Sequence, residues 1–112
     1  WLHVEDHVSA LLLAALFGTL GQSYCVGGYG ERSNMDVVKA ICRQVDELMP
    51  NDLPNESLIT SVKDRLGHDR RYAIDPTKIE TELGWSPEYT FEDGIKSTIE
   101  WYIGNQDWIN SK

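Results

Sequence analysis

The sequence predicts an α/β chain of four helices and a few short strands. Three observations carry that expectation. Apolar side chains recur at helical spacing in four stretches, and residues able to cap a helix stand before three of them. Brief β-type runs lie between the helices, and those at 23–26 and 71–74 are followed within two residues by glycine or proline. Neither an internal repeat nor a low-complexity tract interrupts the pattern.

Trp1 to Val4 reads as a short strand leading into the first helix. There Glu5 and Asp6 suit the positive end, and Val8, Leu11, Leu12, Ala15 and Leu16 keep helical spacing as far as Gly18. The far end of this helix is apolar enough to be expected in a core. Ser23 to Val26 reads as a strand and Gly27 to Gly30 as a flexible loop. Ser33, with Asp36 three positions later, opens a second helix whose stripe is Val37, Val38, Ile41, Val45 and Leu48, ending at Pro50. Residues 51–57 hold polar side chains and a proline and are expected as an exposed connection.

Leu58 to Val62 alternates like a strand, residues 64–69 read as a loop, and residues 71–74 return to an extended pattern. Asp75-Pro76 opens a third helix, with Ile79 and Leu83 inward and Gly84 as its stop. After a break at 85–87, Thr90 with Asp93 opens the last helix, whose inward stripe is Ile95, Ile99, Tyr102 and Ile103.

With 112 residues, 41% hydrophobic and 25% charged, the chain has the composition of a folded domain with one core. Its net charge of −8 argues against general affinity for nucleic acid or an anionic membrane. The longest apolar run, Ala10 to Phe17, is too short to span a bilayer, and WLHVEDHV does not have the form of a leader. Cys25 and Cys42 are expected as small buried thiols in a reducing cytoplasm. His3 and His7 lack the carboxylate or cysteine company of a metal site, and the four tryptophans are expected in the core or at a domain contact.

Against this acidic background, Lys63, Arg65, Arg70 and Arg71 crowd into KDRLGHDRR with His68. Guanidinium groups around a glycine turn match phosphate oxygens in a two-pronged fork, which makes the run a candidate phosphate site. Pairing of Asp64 and Asp69 with the arginines on a solvated loop would explain the same residues. Gly27-Gly28-Tyr29-Gly30, running into Ser33-Asn34, could likewise meet an anion at a helix start or serve only as a turn and cap. Its spacing is not that of a dinucleotide fingerprint.

Four segments, WLHVEDH, YCVGGYGERSNMDVV, DRLGHDRRYAID and KIETELGWSPEYTFEDGIKSTIEWY, together resemble the end of the extended short-chain dehydrogenase/reductase family. Within that family of NAD-dependent epimerases and dehydratases, GHDRRYAID is similar to the 4,6-dehydratases acting on dTDP-glucose. The resemblance implies that residues 1–112 are the small mixed carboxy-terminal, substrate-binding domain. An amino-terminal Rossmann domain, absent from this sequence, would hold NAD and the catalytic residues. It implies the dTDP-sugar substrate as partner, a homodimer formed through the Rossmann half, and a cytoplasmic enzyme of deoxysugar biosynthesis. The resemblance places substrate contacts on Asn34, Asp64, Arg65, Leu66, Gly67 and His68, and no catalytic or cofactor residue on this chain. Another nucleotide-sugar epimerase, dehydratase or decarboxylase, or a non-catalytic diphosphate-binding remnant, is the alternative. The family usually has proline where Leu66 stands and His-Asn where Tyr29-Gly30 stand, and both changes are expected to loosen the site. An arginine that commonly precedes the position of Trp1 has no counterpart in the sequence.

Overall fold

The structure is a computed structural model and describes residues 1–67 and 73–111. The described residues form five α-helices: α1 (Val4–Phe17), α2 (Asn34–Leu48), α3 (Thr77–Leu83), α4 (Phe91–Gly104) and α5 (Gln106–Asn110), with a 3-10 turn at Asn55–Leu58. They divide into two compact units, one from residues 1–31 and 73–91 and the other from 32–67 and 92–111.

In the first unit α1 packs on α3, and the core is Ala10, Ile79 and Trp85, flanked by Leu2, Leu13, Tyr24, Val26 and Leu83. Asp6 ties this unit together. Only 3% exposed, its carboxylate accepts the backbone N–H groups of Glu88 at 2.9 Å and Tyr89 at 3.2 Å. The Trp85 indole N–H is shared between the Asp6 carbonyl at 3.2 Å and the Ser9 hydroxyl at 2.9 Å, so the buried ring has its polar edge satisfied. Gly27 is buried because a Cβ there would lie 2.9 Å from the Cβ of Ile74, so the two stretches approach at backbone distance. The α3 helix begins one residue later than expected: Pro76 is its N-cap, and Asp75 before it accepts from the Thr77 amide at 2.9 Å. It stops at Gly84, whose φ of +66° closes it.

The second unit is built on α2. Ser33 caps it reciprocally with Asp36: the Ser33 hydroxyl accepts the Asp36 N–H at 3.1 Å, and the Asp36 carboxylate accepts the Ser33 N–H at 3.3 Å. Val37 of the expected stripe is buried, while Val38 and Ile41 are 40% and 38% exposed. The connection after α2 folds back as the 3-10 turn, held by Asp46 accepting the Asn55 amide at 3.1 Å and by Arg43 with Glu56 at 3.0 Å. On α4, Gly94 and Ile99 are buried. Tyr102, expected inward, lies open beside Trp101 and Trp108, which meet edge to face with centroids 5.2 Å apart.

The sequence reading needs correcting on several points. No strand occurs among the described residues. Residues 1–3, 23–26 and 58–62 make no backbone ladder, and an extended run becomes a strand only when a neighbour supplies one. The described architecture is therefore a small helical one and not the expected α/β mixture. The far end of α1 is exposed, with Leu16 at 71% and Phe17 at 69%, since this helix is apolar around most of its circumference and α3 covers one side only. Helices among the described residues number five instead of four, because α4 is followed at Asn105 by the separate α5. Cys25 is exposed and Cys42 half-buried. Tyr102, expected inward on α4, is 46% exposed. Of the tryptophans, expected in the core or at a domain contact, Trp85 is core and Trp1, Trp101 and Trp108 are about half exposed.

Candidate functional site

The capping box fixes where α2 begins, and that places Asn34 as its first helical residue with the side chain at the exposed amino-terminal end. The Asp36 carboxyl is held below its ordinary range first by the Ser33 hydroxyl, then by the Ser33 amide, with Lys39 and Arg32 adding positive charge. Asp36 is thus committed to the cap, which leaves the Asn34 side chain without a hydrogen-bond partner among the described residues.

After the 3-10 turn, residues 59–65 run without regular structure and return to Asn34. Asn34, Val62, Lys63, Asp64 and Arg65 line one open groove of about 750 Å3, lying wholly within the second unit. Asp64 accepts the backbone N–H of Arg65 at 2.9 Å, an arrangement that holds the backbone at the groove's edge. Neither the Arg65 guanidinium nor the Lys63 ammonium makes an ion pair with a described residue, so their donors are available to a ligand.

The structure thus brings together three of the residues singled out in the sequence, Asn34, Asp64 and Arg65. Leu66 is 99% exposed and outside the groove lining. Gly67 has a φ of +71° and open space around it, the conformation that the third residue of a type II turn requires. His68 lies outside the described residues, as do Asp69, Arg70 and Arg71. Two lining residues were missed as contacts. Val62 read as a strand residue, and Lys63 was seen only as part of the basic run, although its place next to Asp64 was the available signal. The Gly27–Gly30 stretch serves packing: Ile74 occupies the space beside Gly27, and Tyr29 donates its hydroxyl to both carboxylate oxygens of Glu80 at 2.7 and 2.8 Å. That hydrogen bond is the main reason the Tyr29 phenol titrates above its ordinary value; burial and the Glu80 and Asp75 charges add to it.

A family model described as GDP-mannose 4,6 dehydratase matches residues 1–98. The chain belongs to that family. Members of this dehydratase family similar to it include dTDP-glucose 4,6-dehydratases of Shigella flexneri and Escherichia coli, each 50% identical over 111 residues that cover 99% of this chain and 31% of the relative. The chain spans about a third of the length of these curated relatives. A crystal structure of dTDP-glucose 4,6-dehydratase from Streptomyces venezuelae with NAD and TYD bound matches with a TM-score of 0.85 at 34% identity, over 96% of this chain and 31% of the other. The Bacillus anthracis dTDP-glucose 4,6-dehydratase in complex with NAD matches with a TM-score of 0.80 at 41% identity, over 96% and 32%. The motif segments therefore pointed to the right relatives.

Among the described residues no three His, Cys, Asp or Glu side chains gather at metal-binding range. At the glycine-rich turn a Cβ on Gly27 would meet Ile74 at 2.9 Å and one on Gly28 or Gly30 would meet the Trp1 carbonyl at 3.0 or 3.2 Å, so these glycines allow close packing within the first unit.

Proposed function

We propose that this chain is the substrate-binding part of a dTDP-glucose 4,6-dehydratase and holds the nucleotide diphosphate at Asn34 and the 64–68 loop. The observation that carries the reading is the groove, which joins the start of α2 to Asp64 and Arg65, residues distant in sequence. Arg65 offers a planar pair of donors to phosphate oxygens. The Asn34 amide offers one more, beside the positive end of α2.

In the full protein, NAD would be held by an amino-terminal Rossmann domain outside this chain, since the glycine turn here is engaged in packing and lacks the dinucleotide spacing. Bound there, it would supply reversible hydride transfer for a reaction that removes water across C5 and C6 of the sugar. The residues of this chain move no proton in that reaction. They bind the diphosphate, and that remote binding energy orients the hexose for the chemistry. A cytoplasmic homodimer assembled through the Rossmann half completes the proposal. No helix among the described residues is long and apolar enough to cross a membrane.

Calorimetric titration of the chain with dTDP tests the site. Binding is expected, and Arg65→Ala should weaken it about tenfold or more, the scale of a lost charge-assisted pair. Equal affinity before and after the exchange would mean that the loop is not the site. The same chain, mixed with dTDP-glucose and NAD, is expected to yield no 4-keto-6-deoxy product. The description of the matching family model favours one second reading, a GDP-sugar substrate. Tighter binding of GDP than of dTDP would select it.

A further inference from the structure

We propose that Lys63 is a second diphosphate-binding cation of this groove and the residue that makes its charge positive. The inference rests on the nucleotide reading above and adds a residue that the motif resemblance does not name.

Position comes first: Lys63 lines the same groove as Asn34 and Arg65. Availability comes next. Arg32 is held by Glu92 at 2.9 Å and Arg43 by Glu56 at 3.0 Å, whereas Lys63 and Arg65 form no such pair with a described side chain. Lys39 and Lys96 of the second unit also form no ion pair with a described residue, so what sets Lys63 and Arg65 apart is that they stand together in the groove lining. Charge balance is the third point. The lining holds two positive side chains and one negative, Asp64, so it carries one net positive charge. Without Lys63 the charges of the described lining residues sum to zero on a chain of net charge −8. A multiply charged diphosphate would then gain no net attraction from the described lining to offset the repulsion of the acidic chain.

The two cations have different competences. Arg65 matches one phosphate in a planar fork, and Lys63, a compact charge on a flexible stem, can follow the other phosphate without fixed geometry. Lys63 also acts partly through the field, so its contribution should fade with salt more than a geometric contact would.

The test is calorimetry of dTDP binding to the whole chain, its Lys63→Ala and Lys63→Arg forms, and Arg65→Ala, at low and at moderate salt. Lys63→Ala should weaken dTDP about five- to tenfold at low salt and flatten the salt dependence, with an unchanged urea midpoint. Lys63→Arg should restore affinity to within about twofold of the original. Unchanged affinity in Lys63→Ala alongside a loss in Arg65→Ala would overturn the role of Lys63 and leave the nucleotide reading standing. Failure of the unsubstituted, folded chain to bind dTDP would overturn both. A loss in Lys63→Ala that is salt-independent, or that comes with a lowered urea midpoint, would make the effect structural and also overturn the proposal.

Discussion

Replacing Asp6 with Ala should destabilise the first unit by about 3 kcal/mol. The carboxylate is 3% exposed and receives two backbone N–H groups from a distant part of the chain, Glu88 at 2.9 Å and Tyr89 at 3.2 Å. A hydrogen bond to a charged group is worth roughly 1.5–3 kcal/mol. Two donors, one to each oxygen of a single carboxylate in a part-buried setting, belong near the lower end of that range, which gives about 3 kcal/mol for the pair. Ala also leaves both amides without their acceptor, so the loss is not recovered by repacking. Against a typical domain stability of about 5–15 kcal/mol, that is a large fraction.

Asp6→Asn separates hydrogen bonding from volume. Asn keeps one acceptor oxygen but turns an NH2 group toward the other amide, so it should lose at least half as much. Urea unfolding followed by tryptophan fluorescence reads both, because the indole of Trp85 hydrogen-bonds to the Asp6 carbonyl and Ser9 and senses the same junction. An Asp6→Ala midpoint equivalent to under about 1 kcal/mol would refute the reasoning, since the 88–89 amides would then be satisfied equally well by water.

The α2 cap makes a pH-dependent prediction. The Asp36 carboxyl is held below its ordinary range by Ser33, so its contribution is present above the unfolded carboxylate pKa and is lost as pH falls through the folded one. Asp36→Asn should therefore lower the urea midpoint at neutral pH and cease to matter in strong acid; an equal deficit at both ends of the pH range would contradict the capping role. In the loop, the φ of +71° at Gly67 suits a turn in which proline is favoured one position earlier, where Leu66 stands 99% exposed. Leu66→Pro should tighten dTDP binding about two- to fivefold by restricting the free loop. Weaker binding in calorimetry would show that the loop must bend at 66 to receive the ligand.

Local signals served where the determinant is local. Ser33 with Asp36, Asp75 before Pro76, and Gly84 at φ +66° each act within one turn, and each was legible. What failed depends on partners distant in sequence. A β-type run such as Leu58 to Val62 has the composition of a strand, but pairing requires another edge, and Leu58 and Val62 instead stand 75% and 85% exposed. The apolar circumference of α1 gives no face to prefer, so its spacing could not say which side α3 would cover. The Asp6 tie is the reverse case. A carboxylate near a helix start reads as a response to the helix dipole, and nothing local reveals that its acceptors serve residues 88 and 89.

The site was legible for a different reason, because charge is conspicuous when it runs against the sign of its surroundings. Among the described cations Arg32 and Arg43 pair with carboxylates, while Lys39, Lys63, Arg65, Lys78 and Lys96 form no ion pair with a described residue. An unpaired cation is therefore informative where a second one and a polar side chain line the same groove, as Lys63, Arg65 and Asn34 do. The run from Lys63 to Arg71 shows the excess in sequence, yet sequence cannot say which members are paired and which are available. The structure separates them for the described members: Asp64 turns to the Arg65 amide, while the Arg65 and Lys63 side chains stay open beside Asn34. That separation makes a mixed-charge loop a candidate anion site, because a ligand phosphate there exchanges water and not an internal carboxylate for its new partners.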